Sequence, residues 1–324
     1  MKNYELVECL DVAEWDLFLN TSPQNNIFSH SWFLLERKRK YIFYFILEKN
    51  VKIASVIISL DIEGNVMPNP WVFHGIFFSN DFSNKTNHRY VNKFTKIIEF
   101  LLDELSGKLS LISFNLHPTI NDMRPFQWFK FKNDKNFNIS IGINYTAILD
   151  IKNFENFQNY LASCRYERRR EYKKCLSDNY NLEVSKDLSI LNKLHADTFE
   201  RQGLKRNDHD ILLCNEIAIK AFENDSAQLI YCKDKENNIL AGGLFLFDKK
   251  SIYYLIGATE EKYKKKTPMT YIIFEQIKKL FESNSSVTNF DFCGINSPNR
   301  GDYKISFNSS IVPYYAPLIK KINS

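Results

Sequence analysis

The stretch from Ser251 to Tyr315 constrains the fold more than any other, because it alternates β-rich and helical patterns over a short length. An apolar run, Ile252–Ile256, predicts a strand that ends at a Gly-Ala pair. The basic, turn-prone loop Lys262–Thr267 leads through a proline into a helix predicted over Met269–Phe281. A second strand, Thr288–Phe292, ends in the polar loop GINSPNRG. This order places a helix N-terminus suited to phosphate beside a reaction centre.

The two halves of the chain are predicted to repeat one order of elements: helices, hairpin, strand, long helix, strand. The hairpins are Tyr44–Leu60 and Ala227–Phe247. In the first half the strand, helix and strand that follow are predicted at Trp71–Phe78, Thr86–Leu105 and Leu109–Leu116. Residue identity between the halves is negligible, so the repeat is one of structure.

The boundary between the halves is predicted just after Tyr145–Asp150, a β-rich run. We therefore predict an α/β fold with mixed sheets, built as two tandem domains over residues 1–150 and 151–324. Further helices are predicted at Val12–Leu19, Ile27–Lys38, Phe154–Leu161, Tyr166–Asn179, Leu188–Gln202 and Asp208–Asn224.

Composition narrows the function class. The chain of 324 residues is 44% hydrophobic, with 27 Phe and 17 Tyr, enough to bury a sizeable core. Its net charge of +5 suits an anionic ligand but falls short of a nucleic-acid-binding signature, so DNA is not an expected partner.

The six cysteines form no CxxC pair, which predicts reduced thiols. The N-terminus lacks an apolar signal region, and no apolar run reaches the roughly 18 residues of a membrane span, so we expect a cytoplasmic protein.

Five segments carry a family resemblance. They are, in chain order, Asp122–Trp128, Tyr145–Asp150, Arg165–Lys174, Thr198–Gly203 and Asp291–Phe307. Their order resembles the acyltransferase fold known as GNAT. The doubled arrangement resembles the Fem-type peptidyltransferases and related acyltransferases of polysaccharide gene clusters. The resemblance covers nearly the whole chain, and residues 120–315 carry most of it.

The resemblance implies two GNAT-like domains and an N-acyltransferase with acyl-CoA as donor substrate, without a metal or prosthetic group. It implies the amine of a nucleotide-linked amino sugar as acceptor, in surface-polysaccharide synthesis. The donor is expected in the second half and the acceptor in the cleft between the halves.

The sequence departs from the family pattern at two places. Lys262–Thr267 lacks the glycines of ordinary GNAT phosphate loops, and Phe307-Asn308 replaces an expected Phe-Gly pair. The coiled-coil arm of several Fem enzymes has no counterpart, so transfer RNA is a less favoured partner.

Acyl transfer to an amine needs a proton acceptor, a stabilised oxyanion and a hold on the donor's phosphates. Asp291 stands at a predicted strand end, where its carboxylate could act as the base or could cap the following loop. Tyr254 is predicted to face the groove and to return a proton to the leaving thiol. His74, on the strand Trp71–Phe78, is a further candidate base, and a packed core histidine is the competing interpretation. No residue spacing singles out a covalent nucleophile, so direct attack is predicted.

The residues predicted to contact substrate are Asn296, Lys304, Arg201, Asp122, His117 and Trp71. Asn296 and Lys304 lie in the loop after Asp291 and could bind an acceptor phosphate or hydroxyl. Arg201 could bind a ligand anion, or could simply complement the C-terminus of its helix. His117 and Asp122 flank a loop at a strand end, and because they lack a third ligand no metal site is predicted.

The residues predicted to hold the donor are Arg165, Arg169 and Lys173 on a basic helix and Lys265 and Thr267 in the basic loop. The first three share one helix face at i, i+4 spacing, which could hold phosphates. A competing interpretation is that this basic face is simply solvated and pairs in part with Glu167 and Glu171. Another is that the face attracts RNA.

Two other functions stay open. The first is a Fem-like enzyme that transfers an amino acid from aminoacyl-tRNA to a peptidoglycan precursor, which calls for an extended basic surface. The second is a catalytically inactive GNAT-like binding module, which the missing glycines make plausible. The sequence predicts neither the acyl group, nor the sugar, nor the oligomeric state.

Overall fold

The computed structural model describes residues 4–34, 39–68, 71–83, 88–133, 135–201, 203, 208–283 and 285–322. The chain forms two compact units. Unit 1 comprises Met1–Asn144 together with Pro313–Ser324, and unit 2 comprises Tyr145–Val312. The predicted mixed α/β fold with two units is confirmed. The domain limits 1–150 and 151–324 stay a prediction.

Unit 1 contains an antiparallel sheet and its helices. Its elements are β1 (Glu5–Glu8), α1 (Val12–Thr21), β2 (Lys40–Glu48), β3 (Val51–Leu60), β4 (Ile76–Phe78), α2 (Asn80–Ser83), α3 (His88–Lys108), β5 (Leu111–Ser113), α4 (Arg124–Asn133) and the first part of β6 (Phe137–Asp150). The sheet order is β1-β2-β3-β4, with every neighbouring pair antiparallel. The C-terminal segment pairs antiparallel with β5, Leu318 lying opposite Ser113.

The β2–β3 hairpin and α3 build the core of unit 1, as the sequence predicts. At the hairpin turn, Lys49 and Asn50 have φ of 51° and 65°, a left-handed conformation that asparagine tolerates. The helix buries Ile97, Leu101 and Leu105 along one stripe, and these side chains share an apolar cluster with β3 and β4. Burying each such side chain stabilises the fold by about 1.5–3 kcal/mol.

Unit 2 is built on a six-stranded mixed sheet. After the end of β6 its elements are α5 (Phe157–Ser163), α6 (Tyr166–Ser177), β7 (Asn181–Ser185), α7 (Ser189–Arg201), α8 (Asp208–Glu223), β8 (Ala227–Lys233), β9 (Ile239–Phe247), β10 (Ser251–Thr259), α9 (Pro268–Glu282), β11 (Asn289–Asp291), α10 (Pro298–Ile305) and the start of β12 (Ser310–Lys321). The strand order is β6-β11-β10-β9-β8-β7. β10 and β11 run parallel, and the other neighbouring pairs run antiparallel.

Helix α9 is the central helix of unit 2. Pro268 starts it without the loss of a helical hydrogen bond, because the first N–H groups of a helix have no partner within it. Ile272, Ile273, Phe274 and Ile277 are fully buried and share one apolar cluster with the sheet. This burial fixes the N-terminus of α9 next to the carboxyl end of β10.

β10 and β11 separate after three paired residues, and we call this point the strand divergence. Ser251–Tyr253 pair with Asn289–Asp291, where β11 ends. β10 continues along β9 to Thr259, with an irregular register between Tyr254 and Ile256. The edge of β10 beyond this pairing therefore carries backbone groups that β11 does not bond.

Several predicted elements differ from the structure. The predicted strand Trp71–Phe78 is shortened to Ile76–Phe78, because Phe73 adopts a left-handed φ of 56° that interrupts the extended chain. The predicted helix Ile27–Lys38 is instead a 3-10 helix over Ile27–Ser29 followed by turns to residue 34, and residues 35–38 lie outside the described ranges.

The segments around α9 also differ in part from the sequence prediction. The polar loop after β11 contains a helix, Pro298–Ile305, and the basic loop Lys262–Thr267 is largely a 3-10 helix over Glu261–Lys266. The strand predicted at Tyr145–Asp150 begins at Phe137. Helix α4 and strands β7 and β12 were not predicted, and β5 is shorter than the predicted strand.

None of the helices in the described ranges combines the length and the hydropathy that a bilayer crossing demands. The six cysteines form no disulfide with one another.

Candidate active site

Asp291 is the last residue of β11 and stands at the strand divergence. Its side chain is 2% exposed. Its Oδ1 accepts hydrogen bonds from the Thr146 hydroxyl at 2.5 Å and from the Cys293 backbone N–H at 2.8 Å. Burial raises the pKa of Asp291 to about 6, although these two hydrogen bonds oppose the shift. The carboxyl therefore ionises close to neutral pH while it caps the loop that follows its strand.

Lys304, on α10, closes the same loop from the other side. Its Nζ donates to the carbonyl oxygens of Phe292, Cys293 and Gly294 at 2.5, 2.8 and 2.9 Å. Burial lowers the pKa of Lys304. An ammonium has three protons to donate, and all three are used here, so Lys304 holds the loop in place.

Asn296 ties this loop to β6. Its Oδ1 accepts from the Tyr145 N–H at 2.8 Å, and its Nδ2 donates to the Tyr145 carbonyl at 3.2 Å. Both ends of the amide are therefore engaged with backbone. Within the loop, Cys293 and Gly294 both have positive φ, 51° and 71°, so the chain turns sharply immediately after Asp291.

Tyr254 is the first residue of β10 beyond the paired segment. Its ring stacks on Phe245 at 5.5 Å and folds over Gly257, where an added Cβ would lie 1.9 Å from the tyrosine hydroxyl. The Lys304 ammonium lies 5.7 Å from the centre of the ring. Burial raises the pKa of Tyr254, so the hydroxyl stays protonated at neutral pH. The neighbouring Tyr253 hydroxyl donates instead to Asp248, at 2.8 Å.

Two of the arginines on α6 hold elements of unit 2 together. Arg165 makes a bidentate pair with Asp302 of α10, with both distances at 2.7 Å. Arg168 pairs with Glu171 at 2.5 Å and lies 4.9 Å from the centre of the Tyr303 ring. Arg165, predicted to bind the donor, is therefore engaged with its own fold.

Thr270 links these groups to α9, and it was not among the residues predicted from the sequence. Its side chain is 1% exposed. Its hydroxyl accepts from Arg168 at 3.2 Å, donates to Glu171 at 2.9 Å and lies 3.3 Å from the Tyr303 hydroxyl. The i, i+3 spacing of Arg168 and Glu171 was the one sequence signal for this network.

A basic surface flanks the N-terminus of α9. Arg169, Arg170, Lys173 and Lys174 form no ion pair with any described residue. Lys174 and Lys266 line a common cavity of about 440 Å³, and its wall also contains Lys235 and the carboxylates of Asp178, Asp234 and Glu236. The exposed lysines over residues 262–266, Lys265 among them, come from the 3-10 helix Glu261–Lys266, and Thr267 follows it directly. The structure therefore brings the predicted basic helix and the predicted basic loop together.

Arg201 lies beside the same 3-10 helix. Its Nε pairs with Glu261 at 2.9 Å, and its Nη2 donates to the Thr198 hydroxyl at 2.9 Å. The predicted ligand contact of Arg201 therefore competes with an ion pair inside unit 2.

The remaining predicted residues belong to unit 1. Asp122 is held by Arg124 through a bidentate pair at 2.8 and 2.6 Å. His117 Nδ1 lies 2.9 Å from the Thr119 hydroxyl, and Trp71 packs on Phe28 with ring centroids 6.2 Å apart.

His74 is also in unit 1. It is 1% exposed, and burial lowers its pKa to about 3, so the ring is neutral at physiological pH. This environment favours the competing interpretation, a packed core histidine. Within the described ranges, no three His, Cys, Asp or Glu side chains are grouped so that they could hold a metal ion.

These features define a class of protein. An antiparallel hairpin, two parallel strands that diverge and a helix that begins beside the divergence are the core of the GNAT acyltransferase fold. A solved tandem GNAT protein has a similar fold along this chain. The chain is thus a doubled GNAT-fold protein.

The comparisons find Fem-like proteins among those similar to this chain. Residues 168–323 match the FemAB family model. The crystal structure of FemX shares 14% identity, covers 96% of each chain and gives a TM-score of 0.66. A tandem GNAT protein from the clavulanic acid biosynthesis pathway shares 8% identity over 99% of each chain, with a TM-score of 0.55. L-PGS from Bacillus licheniformis shares 14% identity over 97% of this chain and 93% of its own, with a TM-score of 0.53.

These likenesses confirm the doubled, Fem-like GNAT fold that the sequence resemblance implied. At such identities the structural likeness establishes the fold. No curated protein sequence matches the chain.

Proposed function

We propose that the chain is an N-acyltransferase whose chemistry takes place in unit 2. The strand divergence is the observation that supports this most. Beyond Tyr253, the edge of β10 presents backbone N–H and C=O groups that β11 does not bond. Such an edge can hydrogen-bond an extended, amide-bearing donor as a neighbouring strand would. The FemAB match covers this part of the chain and supports group transfer.

In this proposal the donor is acyl-CoA, and the acceptor is the amine of a nucleotide-linked amino sugar in the cytoplasm. The donor's phosphates would lie at the basic surface formed by Arg170, Lys173, Lys174 and the lysines that precede α9. A helix N-terminus adds its dipole to this attraction. The thioester would then extend along β10 toward Tyr254.

Tyr254 is the proposed proton donor. The acceptor nitrogen attacks the thioester carbonyl, the C–N bond forms, and collapse of the intermediate breaks the C–S bond. The tyrosine hydroxyl gives its proton to the leaving thiolate, and the proton lost by the amine passes to solvent, from which Tyr254 is reprotonated. A tyrosine hydroxyl is protonated at neutral pH, so the proton is available at that step.

For Asp291 we propose a positioning role. The carboxyl is 2% exposed, and its hydrogen bonds go to its own loop and to β6. A base must come within hydrogen-bond distance of the proton it takes, and Asp291 Oδ1 is already engaged with the Thr146 hydroxyl and the Cys293 N–H. The base role predicted from the sequence is the alternative, and Asp291→Asn separates the two roles.

The second candidate is transfer of an amino acid from aminoacyl-tRNA to a peptidoglycan precursor. The observation in its favour is the FemAB match over residues 168–323. The chemistry at Tyr254 is the same, with a ribose oxygen in place of sulfur as the leaving atom. RNA would require the basic surface to extend beyond the α9 N-terminus, and its binding would weaken steeply with salt.

The deciding experiment assays the full chain for turnover with two donors, acetyl-CoA and aminoacyl-tRNA, each with UDP-linked amino sugars and with a peptidoglycan precursor. Turnover of acyl-CoA with the amino sugar supports the first proposal, and turnover of aminoacyl-tRNA supports the second. A thermal-shift screen accompanies it, since a ligand at 100 times its Kd stabilises the fold by about 2.7 kcal/mol. Binding of a donor or sugar without any turnover would identify an inactive binding module.

A further inference from the structure

A second cavity, which we call the Gln276 cavity, lies at the opposite end of α9 from the strand divergence. It has a volume of about 500 Å³ and lies between the C-terminal half of α9 and the turn from β9 to β10. Lys279, on its wall, is about 14 Å along the helix from Thr270 at 1.5 Å per residue. The cavity is therefore separate from the candidate active site, and its size is that of a small-molecule pocket.

Gln276 is the unusual residue of this cavity. Its side chain is 2% exposed, and its Nε2 has no hydrogen-bond partner among the described residues. The neighbouring buried positions of α9, such as Ile273 and Ile277, are apolar. A buried amide without a partner is costly, and an apolar side chain of similar size would pack here at less cost. Because Gln276 lines the cavity, a ligand that carries a hydrogen-bond acceptor would satisfy it.

The charged residues around the cavity are of both signs. Lys249 and Lys279 supply two ammonium groups, and Asp225 and Asp248 supply two carboxylates. Asp248 already accepts hydrogen bonds from the Tyr253 hydroxyl and from backbone N–H groups. Lys279 and Asp225 form no ion pair with any described residue. A ligand with a single charge would pair with either the ammonium groups or the carboxylates, whereas a zwitterion would pair with both.

Four of the other lining residues are apolar, and Ser226, Gln228, Ser283 and Ser285 are polar. Ile252 and Leu280 are buried, and Phe247 and Val287 are half-buried beside them. A hydrocarbon group of a few carbons placed against these side chains would gain about 0.8 kcal/mol per buried CH₂. The cavity thus combines an apolar wall, an unsatisfied amide and charges of opposite sign.

We propose that the Gln276 cavity binds a free amino acid with an apolar side chain. The ligand's carboxylate is bound by Lys249 and Lys279 and accepts a hydrogen bond from Gln276 Nε2. Its ammonium lies toward Asp225, and its side chain packs against Ile252 and Leu280.

The test titrates the full chain with L-leucine by calorimetry and compares two truncated analogues. One is 4-methylpentanoate, which lacks the ammonium, and the other is 3-methylbutylamine, which lacks the carboxylate. We expect leucine to bind at least tenfold more tightly than either analogue. Absence of leucine binding, or equal binding of 4-methylpentanoate, overturns the proposal.

Two variants locate the binding. Gln276→Leu should weaken leucine binding at least tenfold and leave the thermal midpoint of the free protein unchanged or higher, since it removes an unsatisfied amide. Lys279→Met, on the exposed surface, should weaken binding without an effect on folding. Lys186→Met, which removes an exposed lysine elsewhere in unit 2, is the matched control and should bind like the wild type. Wild-type affinity in both cavity variants would exclude this site.

Discussion

The Thr146 hydroxyl donates a hydrogen bond of 2.5 Å to the Asp291 carboxylate, although 145 residues separate the two in the chain. Thr146 lies on β6 and Asp291 ends β11, so this bond joins two neighbouring strands at the strand divergence. The same hydroxyl accepts from the Gly294 N–H at 3.3 Å. Thr146 therefore fixes both the carboxyl and the loop that leaves it.

The first prediction concerns the role of Asp291. In Asp291→Asn the amide oxygen can still accept both hydrogen bonds, so a positioning role predicts a loss of kcat of less than about tenfold. A loss of about 100-fold or more would show that the carboxylate acts as a base. The measurement is kcat and kcat/KM against pH. Asp291→Ala removes both bonds and should lower kcat more than Asp291→Asn does. Asp187→Asn is the control, because Asp187 is exposed and an amide oxygen can still accept from the Ser189 N–H.

The second prediction concerns stability against pH. Burial raises the pKa of Asp291 to about 6, above its value in the unfolded chain, so the carboxyl favours the folded state at low pH. That contribution is lost as pH rises through about 6. Between about pH 5 and pH 8 the wild type should lose about 1 kcal/mol relative to Asp291→Asn. Urea denaturation of both proteins at the two pH values measures the difference, and a constant difference would contradict the buried, pKa-shifted carboxyl.

The third prediction concerns Tyr254 and Gly257. Tyr254→Phe removes the proposed proton donor and should lower kcat by about 100-fold, with little change in the fold. In Gly257→Ala the new Cβ takes the space of the hydroxyl, so the ring must move and kcat should also fall. The double variant should be no slower than the slower single one, because both changes act through one hydroxyl. If the losses of kcat in the two single variants add in the double variant, Gly257 acts otherwise than through the Tyr254 hydroxyl.

The fourth prediction concerns Lys304. Lys304→Met leaves three carbonyl oxygens without their donor and should lower the free energy of unfolding by about 3 kcal/mol. Denaturant titration measures this loss, and Lys186→Met should change stability by less than about 0.5 kcal/mol. A stable Lys304→Met protein that has lost only affinity for the acceptor would restore the substrate role predicted from the sequence.

The fifth prediction ranks the basic residues of α6. Lys173 is exposed and forms no ion pair with a described residue, whereas Arg165 is engaged with Asp302. Lys173→Gln and Lys174→Gln should each raise KM for a phosphate-bearing donor about threefold to tenfold, and more at low salt. Arg165→Gln should affect KM less. Equal effects of all three would indicate a general charge effect and not a donor site.

The sequence predicted the elements whose signals are local. The helical spacing behind α3 and the two hairpins depend on neighbouring residues, and the structure has them within a few positions. Strand β12 was missed because Pro313 and Pro317 interrupt its β-rich run, and a proline lacks the N–H that a ladder uses. Helix α10 was missed because its Pro-Asn-Arg-Gly start reads as a turn. Gly301 is needed there, since an added Cβ would lie 2.9 Å from the Ile295 carbonyl oxygen.

The candidate site could be predicted only in part, because its contacts are not local in sequence. The residue types at Asp291, Tyr254 and Lys304 pointed to a site, but their roles depend on partners distant in sequence. No local pattern indicates that the protons of Lys304 are all used by carbonyl oxygens, or that Thr146 would meet Asp291. The Thr270 network has the same origin, because its members come from α6, α9 and α10.

The pairing of β5 with the C-terminal segment affects how a growing chain can fold. Ser113 and Leu318 are partners, yet about 200 residues lie between them in the order of synthesis. At about 5–20 residues per second a ribosome needs roughly 10–40 s to make the intervening chain. During that time the nascent first unit lacks a strand, whereas the residues of the second unit are all made before that strand is. The unit whose synthesis begins first is therefore the last to be completed. Until then its unpaired strand edge is the part of the chain for which a chaperone would matter most.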